Sequence, residues 1–175
     1  MVEVVRRPVL EGVAQIAHGG IVVSVVAPLA RWIVRGDAAA AAGVAFGVPL
    51  PASPCRAATL GGRAALWLGP DEWLLLAPEG EVAMPDIAGS VVDIGHRQVA
   101  LRLEGSRSAS VLNGGCPLDL HGDAFPVGMC TRTVFGKSEI VLWRYAGDGF
   151  HVEVARSFAG YVHALLGEIA AEFGE

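Results

Sequence analysis

The sequence has few charged residues, and its basic residues form no cluster. Charged side chains make up 18 % of the 175 residues and the net charge is -5, whereas soluble domains average roughly 25 % charged residues. A nucleic-acid groove needs a dense stripe of lysine and arginine. We therefore expect no nucleic-acid partner.

Apolar residues, at 53 %, leave little polar surface. One interpretation is that another protein covers part of the apolar surface. The other is a core rich in small residues, since the alanines at 38–42 and the 23 glycines raise the apolar count without adding much hydrophobic area. Composition alone leaves both interpretations open.

Cysteine is scarce, and the chain lacks both metal-binding and disulfide spacing. The three cysteines, Cys55, Cys116 and Cys130, include no Cys-x-x-Cys pair. Neither a disulfide framework nor a zinc knuckle is indicated. We interpret all three as buried or idle thiols.

No apolar run approaches the ~20 residues that a membrane-spanning helix needs. The segment from Met1 to Pro8 lacks the apolar core and small-residue cleavage site of a signal peptide. We therefore expect a cytoplasmic protein without a membrane partner.

The motifs of common active sites are also missing. The five histidines have unrelated spacings, so no metal site is predicted. Ser106 lacks the second glycine of a nucleophile elbow. Gly136-Lys137-Ser138 resembles the end of a phosphate loop, but Arg132 occupies the place of its first glycine and a strand follows. We interpret the Gly136-Lys137-Ser138 segment as a hairpin turn.

Two weaker patterns leave alternatives. Cys116, with Asp119 and His121 after it, could form an activated thiol, although a small packed side chain in a turn is favoured. The Asp71-Glu72 pair is interpreted as a solvated turn. The strand tryptophans either fill a core, which is favoured, or anchor an interface; they are Trp67, Trp73 and Trp143.

Periodicity and turn signals predict an α+β fold. The predicted strands are 20–26, 31–35, 56–60, 63–68, 72–77, 90–94, 98–103, 128–134, 139–145 and 150–154. The element order suggests two similar halves, 1–78 and 86–175, packed as one compact unit. Each half should hold a mixed or antiparallel sheet with helices on one face.

Three helices are predicted from cap and stop residues. Asp37 should cap a short alanine helix, which Gly43 and the sequence from Gly47 then stop. Ser106 should cap a helix over 107–112 that ends at a left-handed stop in 113–115. A closing helix from about Ser157 presents apolar residues at helical spacing.

Several long segments carry a family resemblance. The segments 67–75, 92–94, 116–120, 124–133 and 156–161 resemble the gamma subunit of heterotetrameric sarcosine oxidase, which in turn resembles the folate-binding domain of the glycine-cleavage T-protein. The motif residues, which are also possible interface residues, are Trp67, Gly69, Pro70, Trp73, Asp93, Cys116, Pro117, Asp119, Arg132, Arg156, Phe158 and Tyr161.

The resemblance implies a noncatalytic structural subunit that binds no cofactor and is not an enzyme by itself. Its partners would be the alpha, beta and delta subunits of an oxidase that converts sarcosine to glycine, with peroxide and methylene-tetrahydrofolate as products. FAD, FMN, NAD, zinc and tetrahydrofolate would be held by those partners. The alternative is a free-standing tetrahydrofolate-binding protein similar to the T-protein folate domain.

Overall fold

The computed structural model of the protein describes residues 8–174, which form two β-sheets and three α-helices. The interpretation of the segment before Pro8 lies outside these residues. The strands are β1 Ile16–His18, β2 Ile21–Val25, β3 Leu29–Arg35, β4 Ala57–Leu60, β5 Arg63–Gly69, β6 Glu72–Pro78, β7 Ser90–Asp93, β8 Gln98–Glu104, β9 Cys130–Phe135, β10 Ser138–Ala146 and β11 Gly149–Ala155. The helices are α1 Ala39–Phe46, α2 Ser108–Asn113 and α3 Ala159–Ala171.

Both sheets are antiparallel. The first has the order β1-β2-β8-β11-β10-β9 and the second the order β4-β5-β6-β3-β7, and each strand pair runs antiparallel. The predicted α+β class is confirmed, and every predicted strand is found within two residues of its predicted bounds. The short β1 was not predicted.

Alternation along the strands sorts the side chains into layers. On β11, Phe150, Val152 and Val154 join the core beneath α2 and α3. On β3, Trp32 and Val34 pack with α1. A third cluster, which includes Leu66, Leu74, Leu76, Cys130 and Val141, lies between the sheets. The layers therefore run α1, second sheet, first sheet, then α2 with α3.

The strands do not follow the predicted division at 79–85. Strand β2 hydrogen-bonds to β8, with Val25 opposite Leu101, and β7 extends the second sheet, with Val92 opposite Ile33. The backbone also links the two sheets, since Cys130 N–H donates to Cys55 O at 3.0 Å. The halves 1–78 and 86–175 stay a prediction about domains, but each sheet draws strands from both.

Two predicted helix caps, Asp37 and Ser106, and the predicted left-handed stop of α2 are wrong. Asp37 lies in a 3-10 turn, Gly36–Ala38, whose backbone leads into α1, and no side chain caps that helix. Helix α2 begins after Arg107, so Ser106 is not its cap, and Gly114 is right-handed at φ -64°. In α1 the left-handed stop is Gly47, at φ 75°, and the helix passes through Gly43.

The hairpin predictions are confirmed. Gly61 and Gly62 have φ of 57° and 82° between β4 and β5, which is the left-handed backbone that a two-residue hairpin requires. Gly136, with φ 58°, begins the turn between β9 and β10.

The closing helix α3 packs as its apolar spacing predicts. Its residues Val162, Leu166 and Ile169 are buried against the first sheet.

Candidate functional site between the two sheets

A buried charged cluster joins the two sheets. Arg31 Nε on β3 donates to Glu153 Oε2 on β11 at 2.7 Å, and His151 Nε2 lies 2.8 Å from Glu153 Oε1. All three side chains are buried: Arg31 is 3 % exposed, Glu153 is 0 % exposed and His151 is 3 % exposed. We call them the Arg31–Glu153–His151 cluster.

The cluster holds Glu153 ionised. Burial raises the pKa of this carboxyl, but the hydrogen bond and charge of His151, together with Arg31, outweigh that effect and hold the pKa below its ordinary value. Arg31 has a further acceptor, because its Nη1 donates to Leu29 O at 2.9 Å. The buried charges of Arg31 and Glu153 are therefore paired with each other.

Sequence reasoning missed this cluster, although a signal for it exists. His151 and Glu153 are two residues apart in a strand whose alternate positions are apolar, so both side chains point to the same face. Charged residues at this spacing within an apolar strand require buried partners. The partner Arg31 is 122 positions away from Glu153, which no local pattern reveals.

A second ionic bridge crosses the sheets at Glu72. Its carboxylate accepts from Arg35 Nη2 at 2.5 Å and also pairs with Arg132 on β9. The hydrogen bond from Arg132, aided by Arg35, outweighs burial and holds the pKa of Glu72 below its ordinary value. Glu72 is 6 % exposed, so its interpretation as part of a solvated turn is wrong.

Two clefts flank the Arg31–Glu153–His151 cluster. One, of about 560 Å³, is lined by Glu72, Arg132 and Glu153 among others. The other, of about 450 Å³, is lined by Arg102 and His151 among others. The buried cluster thus lies between the two clefts, with Glu153 lining one and His151 lining the other.

The tryptophan motif belongs to the second sheet. Trp67 and Trp73 lie opposite each other on β5 and β6, and both are half-buried. Trp73 Nε1 donates to Pro51 O at 2.8 Å. Gly69 is the last residue of β5, and Pro70 lies in the turn that leads to β6. These residues serve packing and turn geometry in the folded chain, and their role at an interface stays a prediction.

The acidic motif residues and the cysteines make local contacts. Asp93 Oδ1 accepts from Gly95 N–H at 2.7 Å, and Asp119 Oδ1 accepts from His121 N–H at 2.9 Å, so both stabilise turns.

Cys116 is 4 % exposed, which confirms its interpretation as a packed side chain. The Cys116 Sγ lies 3.7 Å from Thr133 Oγ1, and the adjacent Pro117 is exposed.

The motif residues Arg156, Phe158 and Tyr161 lie at or just before the start of α3, which packs on the face of the first sheet away from the second sheet. Phe158 and Tyr161 contact each other edge to face at 6.5 Å between ring centroids and are 43 % and 39 % exposed. Tyr161 Oη accepts from Lys137 N–H at 3.2 Å. Arg156 N–H donates to Arg97 O at 2.9 Å. The motif residues thus form separate groups instead of one site.

Residues 8–174 contain no group of three or more His, Cys, Asp or Glu side chains that could hold a metal ion.

Burial raises the pKa of the Cys130 thiol to about 12, so this thiol stays protonated at neutral pH. Across the same part of the chain, none of the helices combines the length and apolar character needed to cross a membrane.

Helix α1 exposes an uncharged apolar surface. Its sequence, AAAAGVAF, has no polar side chain, and Val44 is 85 % exposed. Ala40, Ala41 and Ala45 are exposed beside it. We call these four residues the α1 face. A shallow groove of about 540 Å³ runs from this face to Trp73.

Comparison with known proteins identifies similar sequences. Residues 34–172 match the model of the family described as "Sarcosine oxidase, gamma subunit family". The sarcosine oxidase subunit gamma of Corynebacterium sp. (strain P-1) is 34 % identical over 145 residues, which cover 79 % of this chain and 71 % of that protein. The corresponding subunit of Arthrobacter sp. is 36 % identical over 124 residues, covering 67 % of this chain and 61 % of that protein.

Solved structures show the same fold. A chain of the heterotetrameric sarcosine oxidase from Corynebacterium sp. U-96 superposes with a TM-score of 0.85 at 28 % identity, covering 97 % of both chains. The glycine cleavage system aminomethyltransferase T from Bartonella henselae superposes with a TM-score of 0.60 at 17 % identity, covering 84 % of this chain and 45 % of that chain. The second likeness concerns the fold alone.

Proposed function

Because the chain belongs to the sarcosine oxidase gamma subunit family, whose model matches residues 34–172, we propose that it is a noncatalytic structural subunit of its heterotetrameric oxidase. Its relatives are named as gamma subunits of sarcosine oxidase. The proposal assigns this chain the task of holding partner subunits in their assembled arrangement.

In this proposal the partners are alpha, beta and delta subunits in the cytoplasm. They oxidatively demethylate sarcosine to glycine and form peroxide and methylene-tetrahydrofolate. FAD, FMN, NAD, zinc and tetrahydrofolate are bound by those partners. This chain contributes contacts and no reacting group.

The α1 face is the observation that carries the proposal. A helix that is apolar all round is normally buried, yet the α1 face is open and Val44 is 85 % exposed. No charged side chain lies in the helix or in the groove beside it, and interface centres are depleted of charge in the same way. We infer that a partner subunit of the oxidase packs on this face.

Charge insertion in the α1 face tests the proposal. The variants Ala41→Glu and Val44→Glu would bring an unpaired carboxylate into the contact, which should weaken association at least about tenfold. The chain is co-expressed with the other subunits, and assembly is measured by size-exclusion chromatography with sarcosine turnover as a second readout.

Ala164→Glu is the matched control, since Ala164 is an exposed alanine on α3. It should assemble like the wild type. If omitting the chain changes neither complex integrity nor sarcosine turnover, the subunit role is wrong. If the chain is required but both α1 variants assemble as well as the control, the role stands and the assigned surface is wrong.

The alternative, a free-standing tetrahydrofolate-binding protein, stays a prediction. The T-protein likeness, at 17 % identity, bears on the fold alone. Calorimetric titration of the isolated chain with tetrahydrofolate tests it, and the absence of binding heat at millimolar ligand would exclude it.

A further inference from the structure

The cleft beside the β4–β5 hairpin has the size of a small-molecule site. Its volume is about 450 Å³, within the range of roughly 300–1,000 Å³ typical of ligand pockets. The second sheet contributes Leu60, Arg63 and Leu76, and the first sheet contributes Arg102 and Trp143. The proposed function makes no use of this cleft.

The charge of the cleft is positive. Its lining includes Arg63 and Arg102 but no aspartate or glutamate, although the chain as a whole has a net charge of -5. Arg63 Nη1 donates to Phe46 O at 2.8 Å. Phe46 belongs to α1, which packs on the face of the second sheet away from the first sheet, so the Arg63 guanidinium is engaged there and the contact with a ligand falls to Arg102. The lining therefore favours an anion.

Arg102 is held in place at the cleft. Its guanidinium lies 5.0 Å from the centroid of the Tyr145 ring, and Tyr145 Oη donates to Glu104 Oε1 at 2.6 Å. Burial, followed by the hydrogen bond to Glu104, raises the pKa of Tyr145, so the ring stays neutral beneath the cation. A stacked guanidinium loses less freedom when it binds a carboxylate.

An aromatic wall accompanies this charge. The Trp143 ring centroid lies 5.8 Å from those of both Tyr145 and His151. Within residues 8–174, the buried Trp143 Nε1 has no hydrogen-bond partner. Because this N–H is buried, the part of Trp143 that lines the cleft and can contact a ligand is its ring.

We propose that this cleft binds a small organic anion with a planar apolar body, of the class of an aromatic carboxylate. The carboxylate bonds the guanidinium of Arg102, and the ring lies against Trp143 and Leu60, which is 62 % exposed at the rim. The Arg31–Glu153–His151 cluster keeps the wall behind the ligand rigid, since His151 is part of both.

Titration of the full chain with naphthoate tests the proposal. We expect binding heat and a shift of the Trp143 indole N–H resonance, whereas the neutral analogue naphthalene methanol should bind at least about tenfold more weakly. Arg102→Gln should reduce naphthoate affinity by a similar factor. Trp143→Ala should weaken binding by about threefold or more, because the ring that the ligand contacts is lost.

Arg107→Gln is the matched control, because the Arg107 guanidinium also stacks on a ring, lying 5.6 Å from the Phe173 centroid, but does not line the cleft. Its affinity should equal that of the wild type. The proposal is overturned if millimolar naphthoate produces neither heat nor shifts, or if Arg102→Gln and Arg107→Gln bind equally well. Subunit assembly is measured separately, so each proposal can fail alone.

Discussion

At the residue scale, Glu153 forms a buried ionic contact between the two sheets. It is fully buried and pairs with Arg31 and His151 at 2.7 and 2.8 Å. A buried ion pair need not exceed a hydrophobic contact in stability, but removing one partner leaves the other charge buried without compensation. The effect of a single substitution here is therefore large.

Glu153→Gln keeps the shape and removes the charge that Arg31 requires. We expect the free energy of unfolding to fall by about 3–5 kcal/mol, measured by urea denaturation at neutral pH. Glu168→Gln, at an exposed position of α3, should change it by less than about 0.5 kcal/mol. Equal stability of the two variants would show that the buried cluster does not hold the sheets together.

The same contacts predict the dependence of stability on pH. Both Glu153 and Glu72 have a folded pKa below the ordinary value of 4.5, so at acid pH the unfolded chain binds protons that the folded chain does not. Their stabilisation is complete above that value and is lost as pH falls through it toward the folded pKa. Urea midpoints measured across this window should fall less steeply for Glu153→Gln than for the wild type, and parallel slopes would contradict the assignment.

At the scale of elements, the connection from β8 to α2 depends on a close backbone approach. Gly105 has φ of 125°, and a Cβ there would overlap the carbonyl oxygen of Gly20, just before β2. Only glycine combines that backbone angle with that proximity. The connection therefore fixes how α2 leaves the first sheet.

Gly105→Ala should lower the free energy of unfolding by at least about 2 kcal/mol, because both strain and overlap result. Gly160→Ala is the matched control: a Cβ there meets nothing within 4 Å, and alanine in α3 should be neutral or stabilise by up to about 1 kcal/mol. Thermal unfolding followed by circular dichroism compares them. A Gly105→Ala variant as stable as Gly160→Ala would refute the close approach.

At the scale of the whole molecule, each of the two sheets contains strands from both halves of the chain. Ile21 and Val23 pack in one core with Leu101 and Leu103, and β7 completes the sheet formed by β3 and β6. The ionic bridges at Glu153 and Glu72 also connect opposite sheets. Unfolding one sheet exposes the core of the other.

We therefore expect fragments 1–78 and 86–175 to be unfolded when expressed separately, and the intact chain to unfold in one transition. Dispersion of amide resonances tests the fragments. For the intact chain, tryptophan fluorescence and far-UV circular dichroism should give the same denaturation midpoint. A dispersed spectrum from either fragment, or two separate midpoints, would mean that the halves are independent domains.

The sequence by itself determined the strands, the hairpins and the family, because β-branched alternation, glycine pairs such as Gly61-Gly62 and long motifs are local signals. It misplaced the caps at Asp37 and Ser106, because backbone turns satisfied the helix starts without those side chains. Only the tertiary structure decided that Glu72 is buried, that Arg31 meets Glu153, and that an arginine-lined cleft opens between the sheets. These depend on residues far apart in the chain, and only packing of the two sheets brings them together.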